Sequence, residues 1–194
     1  MISKERVGLF HVPIIMGKAD LPHAEIERYV RVAMDTHGSY TSYYDADFNR
    51  EITKNMPHRE AMEAEMTEMA IDYLKMRQAP ERIWKGVKPW YWFSVYQEGN
   101  SHTLHNHPGS AVAGTYYPYA DENSVPIRFK HPSGNLIQMS EPKYGDQQCW
   151  HFHHPRTGDL NVWPPWLEHQ IGRQGPVDHD KARIAISFNF GKPQ

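Results

Sequence analysis

From Trp90 onward the chain is cut into short β-type runs by glycine and proline. The runs are Trp90–Gln97, Thr103–His107, Ala111–Tyr117, Ile127–Phe129, Trp150–His153, Asp159–Trp163, His169–Ile171 and Arg183–Phe190. Each is too short for a stable helix, and most are rich in the aromatic and β-branched residues that suit a pleated, half-buried surface. Many short strands with turn signals between them predict a sandwich or barrel. The chain ahead of Trp90 reads differently. Gly8–Met16 looks like an opening strand, with Pro13 marking an edge or bulge. Pro22 suits the first turn of a helix whose stripe is Ile26, Val30, Ala33 and Met34, ending near Gly38. A second helix starts at Pro57 and aligns Met62, Met66, Met69, Ala70, Tyr73 and Leu74 up to about Gln78. Its flexible thioethers read as core filling. The expected fold is mainly β, a jelly roll with two N-terminal helices packed on it. It is expected to form one domain over 1–194, with helical support at about 20–80 and a β core at about 88–191.

A chain of 194 residues can bury a sizeable core. With 21 basic and 23 acidic side chains the net charge is -2, so no strong field draws it to nucleic acid or an anionic membrane. The single cysteine, Cys149, cannot form an internal disulfide, which favours a reducing compartment. The apolar run from Val12 to Met16 is too short for a signal peptide, and no window reaches the roughly 20 apolar residues of a membrane span. The expectation is a cytoplasmic protein with neither nucleic-acid nor membrane partners. The oligomeric state stays open, a homo-oligomer included.

Nine of the 13 histidines fall between His102 and His179. His105-Asn106-His107 places two imidazoles at the i, i+2 spacing that shares a strand face. Pro108-Gly109 ends that strand, so the pair belongs at the rim of a sheet, where a ligand can enter. His-x-His alone also fits ordinary hydrogen-bonded histidines. The segment Gly158-Asp159-Leu160 … Pro164-Pro165-Trp166-Leu167-Glu168-His169 adds a third imidazole at the start of another strand. A jelly roll can bring such distant strand ends together through its Greek-key connections. The last run alternates strictly: Arg183, Ala185, Ser187 and Asn189 share one face, and Ile184, Ile186 and Phe188 the other. An inward arginine requires an anionic partner, either a structural acid or a bound carboxylate.

In order and spacing, His-x-His-Pro, the Gly114–Tyr117 strand, Gly-Asp-Leu … Leu-x-His and Arg-Ile-x-Ile-Ser-Phe-Asn resemble the Fe(II)/2-oxoglutarate oxygenases of bacteria and phages. That family is distantly similar to prolyl 4-hydroxylase catalytic domains. The resemblance implies a double-stranded β-helix, with Fe(II) and O2 as cofactors and 2-oxoglutarate as small-molecule co-substrate. It implies hydroxylation of an unidentified prime substrate, a protein side chain or a small molecule, with release of succinate and CO2. Position by position, it makes His105, His107 and His169 the metal ligands and Arg183 the partner of the distal carboxylate of 2-oxoglutarate. Ser187 and Asn189 match the strand lining that pocket, and Tyr116 or Tyr117 is placed to donate a hydroxyl to the co-substrate. One departure stands out: the wider superfamily carries an acid where His107 lies. Asp159 or Asp121 entering from another strand would restore one, whereas Glu168 points away from its neighbour His169.

Two other readings compete. A cupin-type metalloenzyme with three histidines would not use 2-oxoglutarate, and would have no reason to keep Arg183. A non-catalytic jelly roll, for binding or phage assembly, would scatter its histidines. Asp45–Arg50 starts like a calcium loop but lacks the glycine and glutamate that such a loop requires. Tyr43 and Tyr44 beside it read as a substrate-facing or surface loop. His151 and His153 read as strand histidines, Trp163 and Trp166 as turn packing or a stacking surface, and Cys149 as a bystander.

Overall fold

The computed structural model describes residues 12–140 and 149–191. Gly8–His11 of the expected opening strand lie outside the described residues. The strand that forms there is β1, Ile15–Lys18. Three helices follow: α1 (His23–His37), α2 (Ala46–Asn55) and α3 (Arg59–Met76). Then come β2 (Trp90–Tyr96), β3 (His102–His105), β4 (Val112–Tyr119) and β5 (Ile127–Lys130). A short α4 (Gly134–Ser140) precedes β6 (Trp150–His153), β7 (Asp159–Trp163), β8 (His169–Ile171) and β9 (Arg183–Phe190).

The strands form two antiparallel sheets, ordered β1-β7-β4-β9-β2 and β3-β8-β5-β6. The mainly β expectation holds. Two helices were expected, and the described residues contain α2 and α4 as well. α2 was hidden by its polar sequence. The Asp45 carboxylate is not a calcium ligand there but a cap, accepting the Phe48 amide at 2.9 Å. The expected strand Thr103–His107 starts one residue earlier and stops at His105.

Helices α1 and α3 cover the outer face of the five-stranded sheet. Ile26, Val30 and Met34 of α1 and Met62, Met66 and Ala70 of α3 are buried against Ile184, Ile186 and Phe188 of β9 and Leu160 and Val162 of β7. The methionine stripe is therefore core. Gly38 closes α1 in the left-handed region at φ 73°, donating its N–H to the Met34 carbonyl. The opposite face of the same sheet turns toward the second sheet. Its apolar cluster is smaller, built on Tyr96, Ala113, Tyr117, Phe129, Trp163 and Ala185. Polar side chains take up the rest of that interior.

Candidate metal centre

β3 and β8 pair so that His105 lies directly opposite His169. Facing residues on adjacent strands have neighbouring Cβ atoms, and these two ring centroids are 4.3 Å apart. His107 lies just beyond β3. Its amide donates to the Pro165 carbonyl at 2.8 Å, which ties this loop to the Pro-Pro turn. Its ring lies parallel to that of His169 at 5.0 Å, with the two Nε2 atoms 3.1 Å apart. The i, i+2 strand geometry expected for His105 and His107 therefore does not hold, and the loop brings the second ring in instead. One nitrogen from each of the three imidazoles falls within 4.8 Å of the other two.

The surroundings prepare these rings to donate lone pairs. His169 Nδ1 donates to the Leu167 carbonyl and His105 Nδ1 to the Thr103 carbonyl, each at 2.8 Å. A carbonyl can only accept, so each Nδ1 carries the proton and Nε2 keeps its lone pair. Burial disfavours the charged form: it lowers the pKa of His105 and takes His107 to about 4 and His169 to about 2. Near neutral pH all three are uncharged, the form a metal requires. The donor set and its spacing thus fit a single metal ion.

No carboxylate joins them among the described residues. Asp159 pairs with Lys18 at 2.6 Å and with His153 at 3.3 Å. Asp121 accepts from the Asn123 amide and from Ser124 Oγ. Glu168 reaches Lys130 at 3.1 Å. Neither Asp159 nor Asp121 supplies the acid that the wider superfamily places in this set.

Arg183 faces the cluster from the other sheet, on the wall of the same cavity. It is 1% exposed. Nη1 donates to the Val125 carbonyl at 2.6 Å, while Nε and Nη2 have no hydrogen-bond partner. The guanidinium carbon lies 4.1 Å from the Tyr96 ring centroid. A buried cation with two idle donors and no acid paired with it among the described residues is costly unless an anion arrives. Burial raises the pKa of Tyr96 and Tyr117, the latter to about 12, so both phenols stay neutral beside it.

Ser187 lines this cavity and lies 3.2 Å from Thr115 Oγ1. Asn189, at the far end of β9, instead lines a cleft on the outer side of the triad, with its side chain beside His107. Of the two tyrosines, Tyr117 faces the cavity. Tyr116 points the other way, into the helix-covered core, where its hydroxyl lies 2.6 Å from His23 Nδ1. It is therefore excluded as a co-substrate donor.

Three residues near the site were not singled out from the sequence. His102 lies tilted against His105 at 4.2 Å, Trp92 stacks on His107 at 5.9 Å, and Tyr96 covers Arg183. The alternation of β2 carried the signal for two of them, since Trp92 and Tyr96 stand opposite Ser187 and Arg183 in the ladder. Trp163 packs edge-on against His169 at 5.0 Å, whereas Trp166 is half exposed. Cys149 is buried, its thiol donating to the Gly134 carbonyl.

Imidazoles gathered at the β3–β8 rung of one sheet and the loop beyond it, facing an anion-seeking arginine on the other sheet, define a class: a metal-dependent enzyme with a small acidic co-substrate. Residues 90–189 match the family described as "Putative 2OG-Fe(II) oxygenase". The chain belongs to that family and is a 2-oxoglutarate-dependent Fe(II) oxygenase. Solved structures share the fold. A Pseudomonas putida prolyl-4-hydroxylase aligns with TM-score 0.57 at 13% identity, over 93% of this chain and 89% of its own. The carbocyclase SnoK from nogalamycin biosynthesis aligns with TM-score 0.60 at 9% identity, over 93% and 80%. HygX from Streptomyces hygroscopicus, solved with nickel and 2-oxoglutarate bound, aligns with TM-score 0.53 at 10% identity, over 93% and 82%. These neighbours identify the fold as that of double-stranded β-helix oxygenases. No curated protein matches the sequence.

Proposed function

We propose that His105, His107 and His169 hold the ferrous ion of this oxygenase and that Arg183 binds the distal carboxylate of 2-oxoglutarate. The observation that carries this reading is the pair of unpartnered guanidinium nitrogens on a cavity wall shared with the three imidazoles. A cupin that ignores 2-oxoglutarate leaves that buried cation unexplained. A non-catalytic jelly roll leaves the convergence of the histidines unexplained.

When bound, Fe(II) and 2-oxoglutarate supply the activation of O2, coupling decarboxylation to succinate and CO2 with oxidation of a C–H bond. The chain's own residues hold and shield. The imidazoles donate neutral lone pairs, so the site keeps more positive charge than one with a carboxylate ligand. That favours a dianionic co-substrate. Arg183 offers two parallel donors to a carboxylate, a geometry that fixes orientation as well as affinity. Tyr96, Tyr117 and Trp163 exclude water around it, and Ser187 with Thr115 provides hydroxyls along the cavity floor. The prime substrate, a protein side chain or a small molecule, enters from the cleft outside His105 and His107. The enzyme works as one catalytic unit, with the helices at about 20–80 supporting the β core at about 88–191. No helix among the described residues is long and apolar enough to cross a membrane. With the balanced charge, this supports a cytoplasmic enzyme without nucleic-acid or membrane partners.

The test is oxygen-dependent succinate formation from 2-oxoglutarate with added Fe(II). Turnover that needs both iron and oxygen is expected. Iron-loaded, folded protein that forms no succinate under any prime-substrate condition would overturn the reading.

A further inference from the structure

Outside the triad lies a cleft of about 310 Å³, walled by Tyr43, Tyr44, Trp92 and Pro108 and sharing His105 and His107 with the metal centre. The aromatic wall extends beyond the cleft. Tyr43 meets Tyr44 and Trp92 at 5.1 Å each and Trp90 at 5.7 Å, and Trp90 meets Trp92 at 5.1 Å. Tyr44 is 78% exposed, Trp90 50% and Tyr43 44%. Four contiguous rings that run from a metal ligand out to solvent make a patch that a soluble protein does not expose without use. The rings meet edge-on or tilted and Trp92 is buried, so the aromatic surface open within the cleft is that of Tyr43 and Tyr44.

The polar lining narrows the occupant further. Thr103, Asn106, Asn189 and His102 supply hydroxyl, amide and imidazole groups, and among the described residues no lysine, arginine, aspartate or glutamate lines the cleft. Asn189 lies beside His107 on this wall, its side-chain amide lining the cleft. A charged substrate would find no counter-charge. A prolyl ring carries no polar group around its own edge, so these groups would be met only by the backbone on either side of it. A flat aromatic ring would stack and leave the amides unmet. A saturated ring with C–H bonds on its face and hydroxyls around its edge satisfies both halves of the lining.

We propose that this cleft is the prime-substrate site and that it takes a neutral, polyhydroxylated ring, a sugar unit, packed against Tyr43 and Tyr44 with its hydroxyls toward Thr103, Asn106 and Asn189. The inference rests on the metal-centre reading for the direction of attack, but binding is read separately from turnover. The probes are methyl gluco-, galacto- and mannopyranosides, with N-acetylprolinamide as the competing ring. Saturation-transfer NMR on the full chain should show transfer to at least one glycoside, strongest at its ring C–H protons, and little to the prolyl probe. Tyr43→Ala and Tyr44→Ala, both at exposed positions that line the cleft, should each weaken that glycoside about five-fold, the scale of one aromatic contact. Transfer to none of the three glycosides, preferential binding of the prolyl probe, or unchanged affinity in both variants overturns the proposal. Because this readout needs no succinate, an inactive enzyme that binds glycosides would sink the oxygenase assignment alone, and an active one that ignores them would sink only the sugar.

Discussion

Replacing Arg183 with methionine separates a functional arginine from a structural one. The side chain is 1% exposed, with a hydrogen bond to the Val125 carbonyl and the Tyr96 ring at 4.1 Å. Methionine nearly conserves volume, so repacking costs less than about 1.5 kcal/mol. The Val125 carbonyl loses its donor, at about 1–3 kcal/mol. Against these losses, a buried charge without an acid disappears, which relieves a desolvation cost of several kcal/mol. The ligand-free variant should therefore melt within a few degrees of the parent, or above it. Co-substrate binding responds in the opposite direction. Two charge-assisted hydrogen bonds at about 1.5–3 kcal/mol each correspond to a loss of about 10²–10⁴-fold in affinity for 2-oxoglutarate. Thermal unfolding of the ligand-free chain, paired with oxygen-free calorimetric titration of 2-oxoglutarate onto Fe(II)-loaded protein, reads both quantities. A variant that loses more than about 3 kcal/mol of stability yet binds 2-oxoglutarate as before would refute the reasoning. It would mean that the guanidinium serves the fold.

Three further outcomes are expected. His169→Ala removes the most deeply buried imidazole and should weaken iron retention by more than about 100-fold, measured as iron per chain after gel filtration; retention of one full equivalent would point to another ligand. The ligand-free protein should lose stability as pH falls from about 6.5 toward 4, because the unfolded chain takes up protons there that His107, held at about 4, refuses. By pH 5 that residue alone costs about 2 kcal/mol, with His102, His105 and His169 shifted the same way. Melts at pH 7 and pH 5 that coincide would contradict this. Gly114→Ala should destabilise by about 1–3 kcal/mol in denaturant titration, since its Cβ would strike the Phe188 ring and fall 2.7 Å from the Asn161 carbonyl oxygen.

Much of this was legible in the sequence, for reasons visible at single positions. Strand β9 announced itself because one face packs on helices and the other on a polar cavity, so Arg183 and Ile184 had to alternate. The histidine at residue 169 was readable from its place after the Pro-Pro turn. Its partner was not, since the register that sets it opposite His105 depends on pairing between segments far apart in the chain. His107 was placed in a strand because spacing cannot show where a ladder stops; here it stops at His105. The choice between Tyr116 and Tyr117 also needed the ladder. β4 contains Pro118, which has no N–H to donate, and its pairing with β9 shifts register between Tyr116 and Tyr119. Helix α2 escaped notice because its buried residues include Asn49, which bonds Ser42 and the Tyr91 carbonyl, so its inward face is partly polar.

The cross-strand rung formed by residues 105 and 169 has a mechanical consequence. The two strands that meet there are only four and three residues long, too brief to hold their alignment by backbone pairing alone. An ion gripped at that rung would act as a clasp on the thin side of the sandwich, so loss of iron should first loosen the small sheet while the helix-backed one stays intact.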